Sequence, residues 1–208
     1  MFIKTLLFLA FLSVISVDAQ QSAPKTSFDD LLAKVKKDDR SVDFQQLRFA
    51  YTETAVYQPY GGVSDARKAM FTAMTAKDYE QVLQQSEKML AANFLDINGQ
   101  FGSYIANQQL GKTEKAAYHK YIVTSLLKSI TDSGDGKSLD TAFVVISTDE
   151  EYALFNVLGL RPTNQALVAD KDHHYDKMTA VNPKTEETVV YYFNIDRPYN
   201  WLGKSLKP

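Results

Sequence analysis

The segment AFVVISTDEE, residues 142–151, marks the point at which the pattern of this chain changes. Residues 142–147 form a continuous apolar run, which is typical of a short strand that is buried on both faces. Residues 148–151 fit a capping box, in which a hydroxyl and a carboxylate satisfy the first free N–H groups of a helix. We therefore expect a strand that leads into a short helix ending at Gly159.

Upstream of this segment, apolar residues recur with the period of amphipathic helices. The first helix is expected to begin at Ser27, which fits a capping box with Asp30. Two helical segments begin with similar sequences, KDYE at 77–80 and KTEK at 112–115. Their separation of about 35 residues is close to the tetratricopeptide period, so residues 75–130 resemble one such helical-hairpin repeat.

Downstream of residue 160, the chain reads as short strands separated by turn residues. We expect strands at 165–169, 174–181 and 188–195, with a turn at 182–185. The predicted fold class is α+β, in which an N-terminal helical-hairpin stack packs on a small, mostly antiparallel C-terminal sheet that carries one helix. Residues 27–208 form a single domain in this interpretation, with a helical half at 27–131 and a sheet half at 132–208.

The first nineteen residues have the pattern of an export signal. Lys4 supplies a positive charge, a mostly apolar run covers residues 5–17, and Ala19 is the small residue expected before a cleavage site. The apolar run is too short to span a bilayer. We expect a signal peptide at 1–19, a disordered leader at 20–26, and an exported protein that is periplasmic or secreted and has no membrane anchor.

The composition narrows the classes of function. A net charge of −2 argues against nucleic acid as a partner, because phosphate binding needs a basic surface. The absence of cysteine excludes disulfides, thiolate chemistry and cysteine zinc sites. An exported domain of this size without disulfides is more typical of bacteria than of eukaryotes.

Four segments together resemble a family of bacterial exported proteins described as domain of unknown function 4919. They are DFQQLR at 43–48, SGDGKS at 133–138, TAFVVIS at 141–147 with DEEY at 149–152, and YFNID at 192–196 with Pro198 and Trp201. The resemblance covers essentially the whole mature chain. It implies that family's fold, secretion and a bacterial origin. It implies no mechanism, because no activity is established for the family.

The glycine-rich segment GDGKS at 134–138 raises the question of nucleotide or calcium binding. A phosphate-binding loop needs a glycine five positions before Gly136, where this chain has Thr131. Calcium has four candidate oxygen ligands nearby: Asp132, Ser133, Asp135 and Asp140. The EF-hand order is nevertheless absent, because Gly134 and Gly136 occupy ligand positions. The pattern favours a tight turn between the last helix and the first strand.

The acidic residues Asp149, Glu150 and Glu151 resemble a catalytic cluster. Carboxylates at the start of a helix are, however, stabilised by the helix dipole and by capping geometry. Consecutive residues also point in different directions around a helix. We interpret the three acids as structural.

The histidines are the remaining ionisable candidates. His174 and Asp176 would project from the same face of a strand, and His-x-Asp opens a two-histidine, one-carboxylate iron site. No histidine follows His174 to complete such a site, and His119 lies on an apolar helical face, where a structural role is expected. We expect no metal and no cofactor.

Four aromatic residues have two interpretations: Tyr51, Tyr57, Tyr60 and Trp201. Their ring faces suit a carbohydrate or peptide groove. Filling of the core between the helices and the sheet is the favoured alternative.

Two classes of function remain open. The favoured class is a non-enzymatic interaction module for an unknown protein or small-molecule ligand. The other is a hydrolase or metal-dependent enzyme that uses His174, Asp176 and the loop at 133–138. If the strand that His174 begins lies beside residues 142–147, a polar mouth is expected where the two halves meet. Its residues would be Asp135, Lys137, His174, Tyr175 and Asp176.

We predict cleavage between Ala19 and Gln20, because a small residue precedes this bond and a short apolar run precedes that residue. Mass spectrometry of the protein recovered outside the cytoplasm should show a chain that begins at Gln20, with or without cyclisation of this residue. A retained Met1, or a chain that begins inside the helical half, would contradict the prediction.

Overall fold

The computed structural model describes residues 26–206. The predicted signal peptide and residues 20–25 of the predicted leader lie outside the described residues. Within residues 26–206, no helix combines the length and the apolar character that a membrane crossing requires.

Six helices come first in the chain. They are α1 Phe28–Lys36, α2 Phe44–Tyr51, α3 Ser64–Thr75, α4 Tyr79–Ala92, α5 Ile97–Gln109 and α6 Thr113–Thr131. Short polar side chains begin four of them by accepting hydrogen bonds from N–H groups of the first turn. These caps are Ser27, Asp43, Asp78 and Asp96.

Helices α3, α4 and α5 enclose a small core of their own. Its buried residues are Met70, Ala73, Val82, Met89 and Ala106. Helix α6 packs against α5 on one side and α2 on another. The helices thus pack in chain order from α3 to α6, and the likeness of this part to a tetratricopeptide repeat stays a prediction.

The rest of the chain forms a sheet with two helices. The elements are β1 Phe143–Val144, α7 Thr148–Leu158, β2 Arg161–Asp170, β3 His173–Val181, β4 Thr188–Asn194 and α8 Asp196–Ser205. The strand order is β1-β4-β3-β2, with β1 parallel to β4 and the other two pairings antiparallel. The predicted α+β class is confirmed, and α8 is a second helix that the sequence pattern did not predict.

The apolar run at 142–147 contains a shorter strand than expected. Only Phe143 and Val144 pair with β4, although Val145 and Ile146 are also buried. The Val145 N–H still donates to the Asn194 carbonyl of β4 at 3.2 Å, and the Ile146 N–H, one residue later, donates to the carboxylate of Glu150 at 2.9 Å. This carboxylate stabilises the turn that leads from β1 into α7.

One hydrophobic core joins the helical half to the sheet half. The sheet contributes Met178, Ala180 and Phe193, which are almost fully buried on its inner face. The helices cover this face with a set of buried apolar residues: Leu47, Ile122, Leu126, Ile130, Leu154 and Phe155. Removal of these side chains from water is the main stabilising contribution to the fold.

A fully buried ion pair crosses this core. Arg48 on α2 is 0% exposed, and its Nε and Nη2 donate to the two carboxylate oxygens of Glu150 on α7, at 2.8 and 2.5 Å. Its Nη1 donates to Ser129 Oγ on α6 at 3.2 Å, and its Nη2 also donates to the Val144 carbonyl on β1 at 2.9 Å. One side chain therefore connects four elements.

We expect Glu150→Gln to lower the free energy of unfolding by about 3–5 kcal/mol, because the guanidinium of Arg48 then stays buried without a counter-charge. Chemical denaturation measures the loss. The matched control, Lys128→Gln, breaks the exposed pair with Asp132 and should cost less than about 1 kcal/mol. Similar small losses in both variants would contradict a structural role for the Arg48 pair.

Candidate functional site

The three consecutive acids of α7 contact three different elements. Asp149 accepts from both terminal nitrogens of Arg67 on α3, at 2.7 and 2.6 Å. Glu150 forms the buried ion pair with α2, and Glu151 contacts Asp176 on β3. Because successive residues of an α-helix are about 100° apart around its axis, the three carboxylates do not converge on one substrate.

The predicted capping box at 148–151 is wrong. Ser147 is the residue that precedes the first turn of α7, and no side chain there makes a capping hydrogen bond. The acids are structural, as expected, but their role is to bind other elements. A sequence pattern cannot separate these two roles, since both place carboxylates in the first turn of a helix.

Glu151 and Asp176 form a buried pair of carboxyl groups. Glu151 is 0% exposed and Asp176 is 5% exposed, and the two groups lie close enough for each to change the pKa of the other. In the described part of the chain, no hydrogen-bond donor reaches either oxygen of Glu151. Two ionised carboxylates in contact repel each other, so one proton bridges the pair.

This proton belongs mainly to Glu151. Burial, followed by the charge of Asp176 and the hydrogen bond to it, raises the pKa of Glu151 to about 9. Burial also raises the pKa of Asp176, but hydrogen bonds from Gln165 and Glu151 oppose that effect. Gln165 Nε2 donates to Asp176 Oδ2 at 2.7 Å. A neutral Glu151 thus donates to an ionised Asp176.

A thin layer of side chains covers the pair. Gln165 is exposed, and the Tyr152 hydroxyl donates to its Oε1 at 3.4 Å. Tyr60 lies close by, since its pKa is raised by burial and then by the negative charge of Asp176. A substrate can reach the two carboxyl groups only after these side chains move.

The histidines of β3 surround Asp196, the first residue of α8. The Asp196 carboxylate lies 2.6 Å from His173 Nδ1 and accepts the backbone N–H of His174 at 2.8 Å. The His174 ring stacks on Tyr199, with 3.6 Å between the centroids. Within residues 26–206, no three His, Cys, Asp or Glu side chains are arranged to hold a metal ion. These contacts attach α8 to β3.

His119 lies between α6 and α5, consistent with the expected structural role. Its Nδ1 is 2.7 Å from Oε1 of the fully buried Gln100. Burial, followed by the charge of Lys115, lowers the pKa of His119. The ring is therefore favoured in its neutral form.

The loop at 133–138 is a tight turn. A Cβ at Gly134 would collide with the Thr141 carbonyl, and a Cβ at Gly136 would collide with the Phe143 ring. Gly136 also has a φ of 68°, a conformation that side chains disfavour. Its carbonyl accepts the Tyr192 N–H of β4 at 2.8 Å. Both glycines are thus required by the close packing of this turn on the sheet.

The structure separates the residues of the expected polar mouth. β4 lies between β1 and β3, so the strand that His174 begins does not adjoin residues 142–147. Asp135 stays within its own turn and accepts the Lys137 N–H at 3.0 Å. His174 and Asp176 share one face of β3, and the alternation of a strand directs Tyr175 to the other face.

A groove with a volume of about 760 Å³ lies between α2 and α8, where the helical half meets the sheet half. Its lining includes Phe49 from α2, Glu53 from the loop that follows α2, and four residues from α8: Arg197, Asn200, Trp201 and Lys204. This volume is in the range of sites for small organic ligands. The groove also combines aromatic rings with polar side chains, as such sites usually do.

The four aromatic residues that suited either a groove or the core have different environments in the structure. Tyr51 and Tyr57 are buried, and the Tyr57 hydroxyl donates to the Ile146 carbonyl at 2.5 Å, so both fill the core. Trp201 is half-buried and meets Tyr57 edge-on, with 6.3 Å between the centroids. Tyr60 packs beside Trp201 at 6.2 Å. Trp201 is therefore the ring that the groove leaves partly accessible.

Arg197 places a guanidinium group in this groove. The group lies over the Phe49 ring, 3.8 Å from its centroid. Its Nε is enclosed and has no hydrogen-bond partner among residues 26–206. None of the ion pairs between described residues includes Arg197. The groove thus contains a positive group that lacks an acidic partner in the described chain.

A second cavity, of about 100 Å³, lies next to the loop that joins α2 to α3. Its acids are already engaged, since Asp96 and Asp149 both pair with Arg67, at 3.2 and 2.6 Å. A space of this size suits a few water molecules better than an organic ligand. The larger groove is the candidate site.

The sequence patterns missed the helix that builds one side of this groove. The signals for α8 were present, because Asp196 and Pro198 lie in its first turn and Lys204 lies in its last. The short segment after β4 was instead interpreted through its aromatic residues alone. The position of Arg197 over Phe49 depends on tertiary packing, which no local pattern reports.

The fold and the groove define an α+β protein whose described residues show a candidate binding site. The chain belongs to the family described as Domain of unknown function (DUF4919), whose model matches residues 13–202. This match confirms the resemblance carried by the four sequence segments. No curated protein and no solved structure matches the chain. Its function must therefore be argued from its own groove and carboxyl pair.

The carboxyl pair makes stability depend on pH. Folded Glu151 keeps its proton up to a pKa of about 9, whereas the unfolded chain releases it near 4.5. The proton on Glu151 therefore adds its full stability to the folded protein at pH values below the unfolded pKa. As pH rises from the unfolded pKa toward the folded pKa, this stability is lost by at most about 1.4 kcal/mol per pH unit. Glu151→Gln keeps a donor for Asp176 without a titrating proton. We expect this variant to gain stability relative to wild type as pH rises from about 5 to about 8.

Urea denaturation at several pH values measures this difference. Comparison with wild type cancels the other titrating groups, including His119 and Asp96, because both proteins contain them. Glu114→Gln, at an exposed position of α6, is the control and should show a constant difference. Parallel pH dependences for wild type and Glu151→Gln would exclude a proton held by Glu151.

Proposed function

We propose that this protein is an exported, non-enzymatic binding module whose ligand occupies the groove between α2 and α8. One observation carries the proposal: the groove presents the guanidinium of Arg197, which lacks an acidic partner among the described residues, beside the partly accessible ring of Trp201. Unpaired polar groups and aromatic rings in a concave surface are the usual features of a ligand site.

The position of the groove supports the same proposal. Its two sides come from α2, early in the chain, and α8, at its end, and both helices are firmly attached. Arg48 fixes α2 to α7, and Asp196 fixes α8 to β3. A site between elements that are held in this way is preorganised, which reduces the entropy lost on binding.

Export is part of the proposal. It depends on the predicted signal peptide at residues 1–19 and is tested by the cleavage expected at Gln20. An extracytoplasmic protein meets solutes, polysaccharides and peptides from the surroundings. The groove is large enough for a fragment of any of these.

One observation favours the alternative, a hydrolase. Glu151 and Asp176 share a proton, as the carboxyl pairs of acid–base enzymes do. The sequence pattern suggested His174 as a residue of the hydrolase site. In the structure, however, the His174 ring is stacked on Tyr199 and its backbone N–H donates to Asp196. The carboxyl pair is also enclosed beneath Gln165 and Tyr60, so the alternative requires an opening motion.

The test uses Trp201, which is the only tryptophan of the chain and lies in the groove. A panel of oligosaccharides, short peptides and small acids is screened by tryptophan fluorescence and by thermal unfolding. We expect a ligand to change the emission of Trp201, to raise the unfolding temperature and to be recovered chemically unchanged. At a ligand concentration of 100 times Kd, the stabilisation should be about 2.7 kcal/mol.

Asn200→Tyr places a larger side chain in the groove and should abolish the response. Asn156→Tyr, at an exposed position of α7 outside the groove, is the matched control and should bind like wild type. Thermal stabilisation without a fluorescence change, or equal binding by both variants, would show that the ligand binds outside the groove. Conversion of a ligand that Glu151→Gln abolishes would establish the hydrolase instead.

A further inference from the structure

We infer that the ligand of the groove carries a carboxylate group, and that Arg197 binds this group. The inference rests on the proposed function, because it names the chemistry of the ligand for the same groove. It applies to small molecules such as an acidic sugar or a peptide with a free C-terminus, which share this group.

The geometry of Arg197 is that of an anion receptor. The face of its guanidinium is covered by the Phe49 ring at 3.8 Å, which holds the plane of the group in a fixed orientation. Its Nε is enclosed without a partner among residues 26–206. The side chain as a whole is only half-buried and lines the groove.

The other enclosed arginines of the chain show what is missing at Arg197. Arg48 makes two hydrogen bonds to Glu150, and Arg67 makes two to Asp149. Each directs two N–H groups to one carboxylate, the acceptor that fits a guanidinium best, although Arg67 Nε, like Arg197 Nε, has no partner among the described residues. Arg197 has the same fork and is also partly enclosed, but no acid of the described chain occupies it.

Two of the acids that line the groove, Asp196 and Asp132, are already bound elsewhere. Asp196 accepts from His173, from the His174 backbone and from Asn194 Nδ2. Although burial alone would raise it, these hydrogen bonds lower the pKa of Asp196, so this carboxylate stays ionised and engaged. Asp132 pairs with Lys128 at 2.6 Å. Glu53 also lines the groove, but no ion pair between described residues joins it to Arg197, so the acceptor position of Arg197 is open to a ligand.

The remaining charges favour a single negative charge on the ligand. Lys204 also lines the groove and adds a second positive charge. Glu53, on the side of the groove near α2, adds one negative charge that partly offsets these two. A monoanionic carboxylate balances this set better than a doubly charged phosphate ester does. Asn200 and Trp201 complete the site with an amide for hydroxyl or peptide groups and a ring face for the body of the ligand.

The experiment compares acids with matched neutral compounds. The probes are galacturonate and trialanine, each with a single carboxylate and each paired with its uncharged counterpart, the methyl ester and the C-terminal amide with a blocked amine. Trialanine is used with the same blocked amine, so that each pair differs only in its carboxylates. Binding to the full mature protein is measured by titration calorimetry and by the emission of Trp201.

We expect at least one acid to bind at least about tenfold more tightly than its neutral counterpart, since a charge-assisted bidentate contact is lost. Arg197→Gln should bind the acid about tenfold more weakly than wild type does. Arg197→Lys should have an affinity between those of wild type and Arg197→Gln, because lysine keeps the positive charge but cannot make two parallel hydrogen bonds. Arg161→Gln, at an exposed position of β2, is the control and should bind like wild type. The circular dichroism spectra of the variants show whether each is folded.

Three outcomes would overturn the inference. They are equal binding of an acid and its neutral counterpart, unchanged binding by Arg197→Gln, and no binding of either acid at millimolar concentration. A neutral probe that changes Trp201 emission would refute the carboxylate and still support a binding groove. Failure of the proposed function itself would appear in the wider screen, as a panel in which no compound affects Trp201.

Discussion

The ion pair between Arg48 and Glu150 is the interaction on which the positions of the other elements depend. Moving two charges out of water is costly, so such a pair adds little net stability compared with apolar side chains of the same size. The main effect of the pair is to fix how the helices and strands around it are arranged. By satisfying Arg48, Glu150 sets the rotation of α7. That rotation directs Asp149 to α3 and Glu151 to β3, and the carboxylate of Glu150 also accepts the Ile146 N–H in the turn that follows β1.

The groove follows from this arrangement and from the attachment of α8. Helix α2 is held from inside the core, and α8 is held at the end of the sheet through Asp196 and the stacked His174–Tyr199 pair. Helix α8 contacts α2 through Arg197 and Phe49, and it contacts the loop after α2 through Trp201 and Tyr57, but a space remains between the two helices. The histidines that attracted attention in the sequence thus serve the site indirectly, as supports of one of its sides.

The sequence predicted the fold class, the helical half and the strand periods because these depend on local patterns of apolar residues and on capping side chains. It overestimated β1, since the chain turns toward α7 just after Val145, where the Ile146 N–H donates to Glu150. It also could not pair Glu151 with Asp176 or place Arg197 over Phe49, because these contacts join distant segments. In a single sequence, an acid that caps a helix and an acid that meets a buried partner look alike.

The order of the strands has a consequence for assembly. β4 is the last strand of the described residues, yet it lies between β1 and β3. The ion-pair partner of Arg48, Glu150, lies 102 residues further along the chain. A chain that emerges N-terminus first therefore completes all six early helices before it can close its main core. Long-range closures of this kind slow folding. The sheet and the main core are completed only when β4 inserts between β1 and β3, after the other strands have been synthesised.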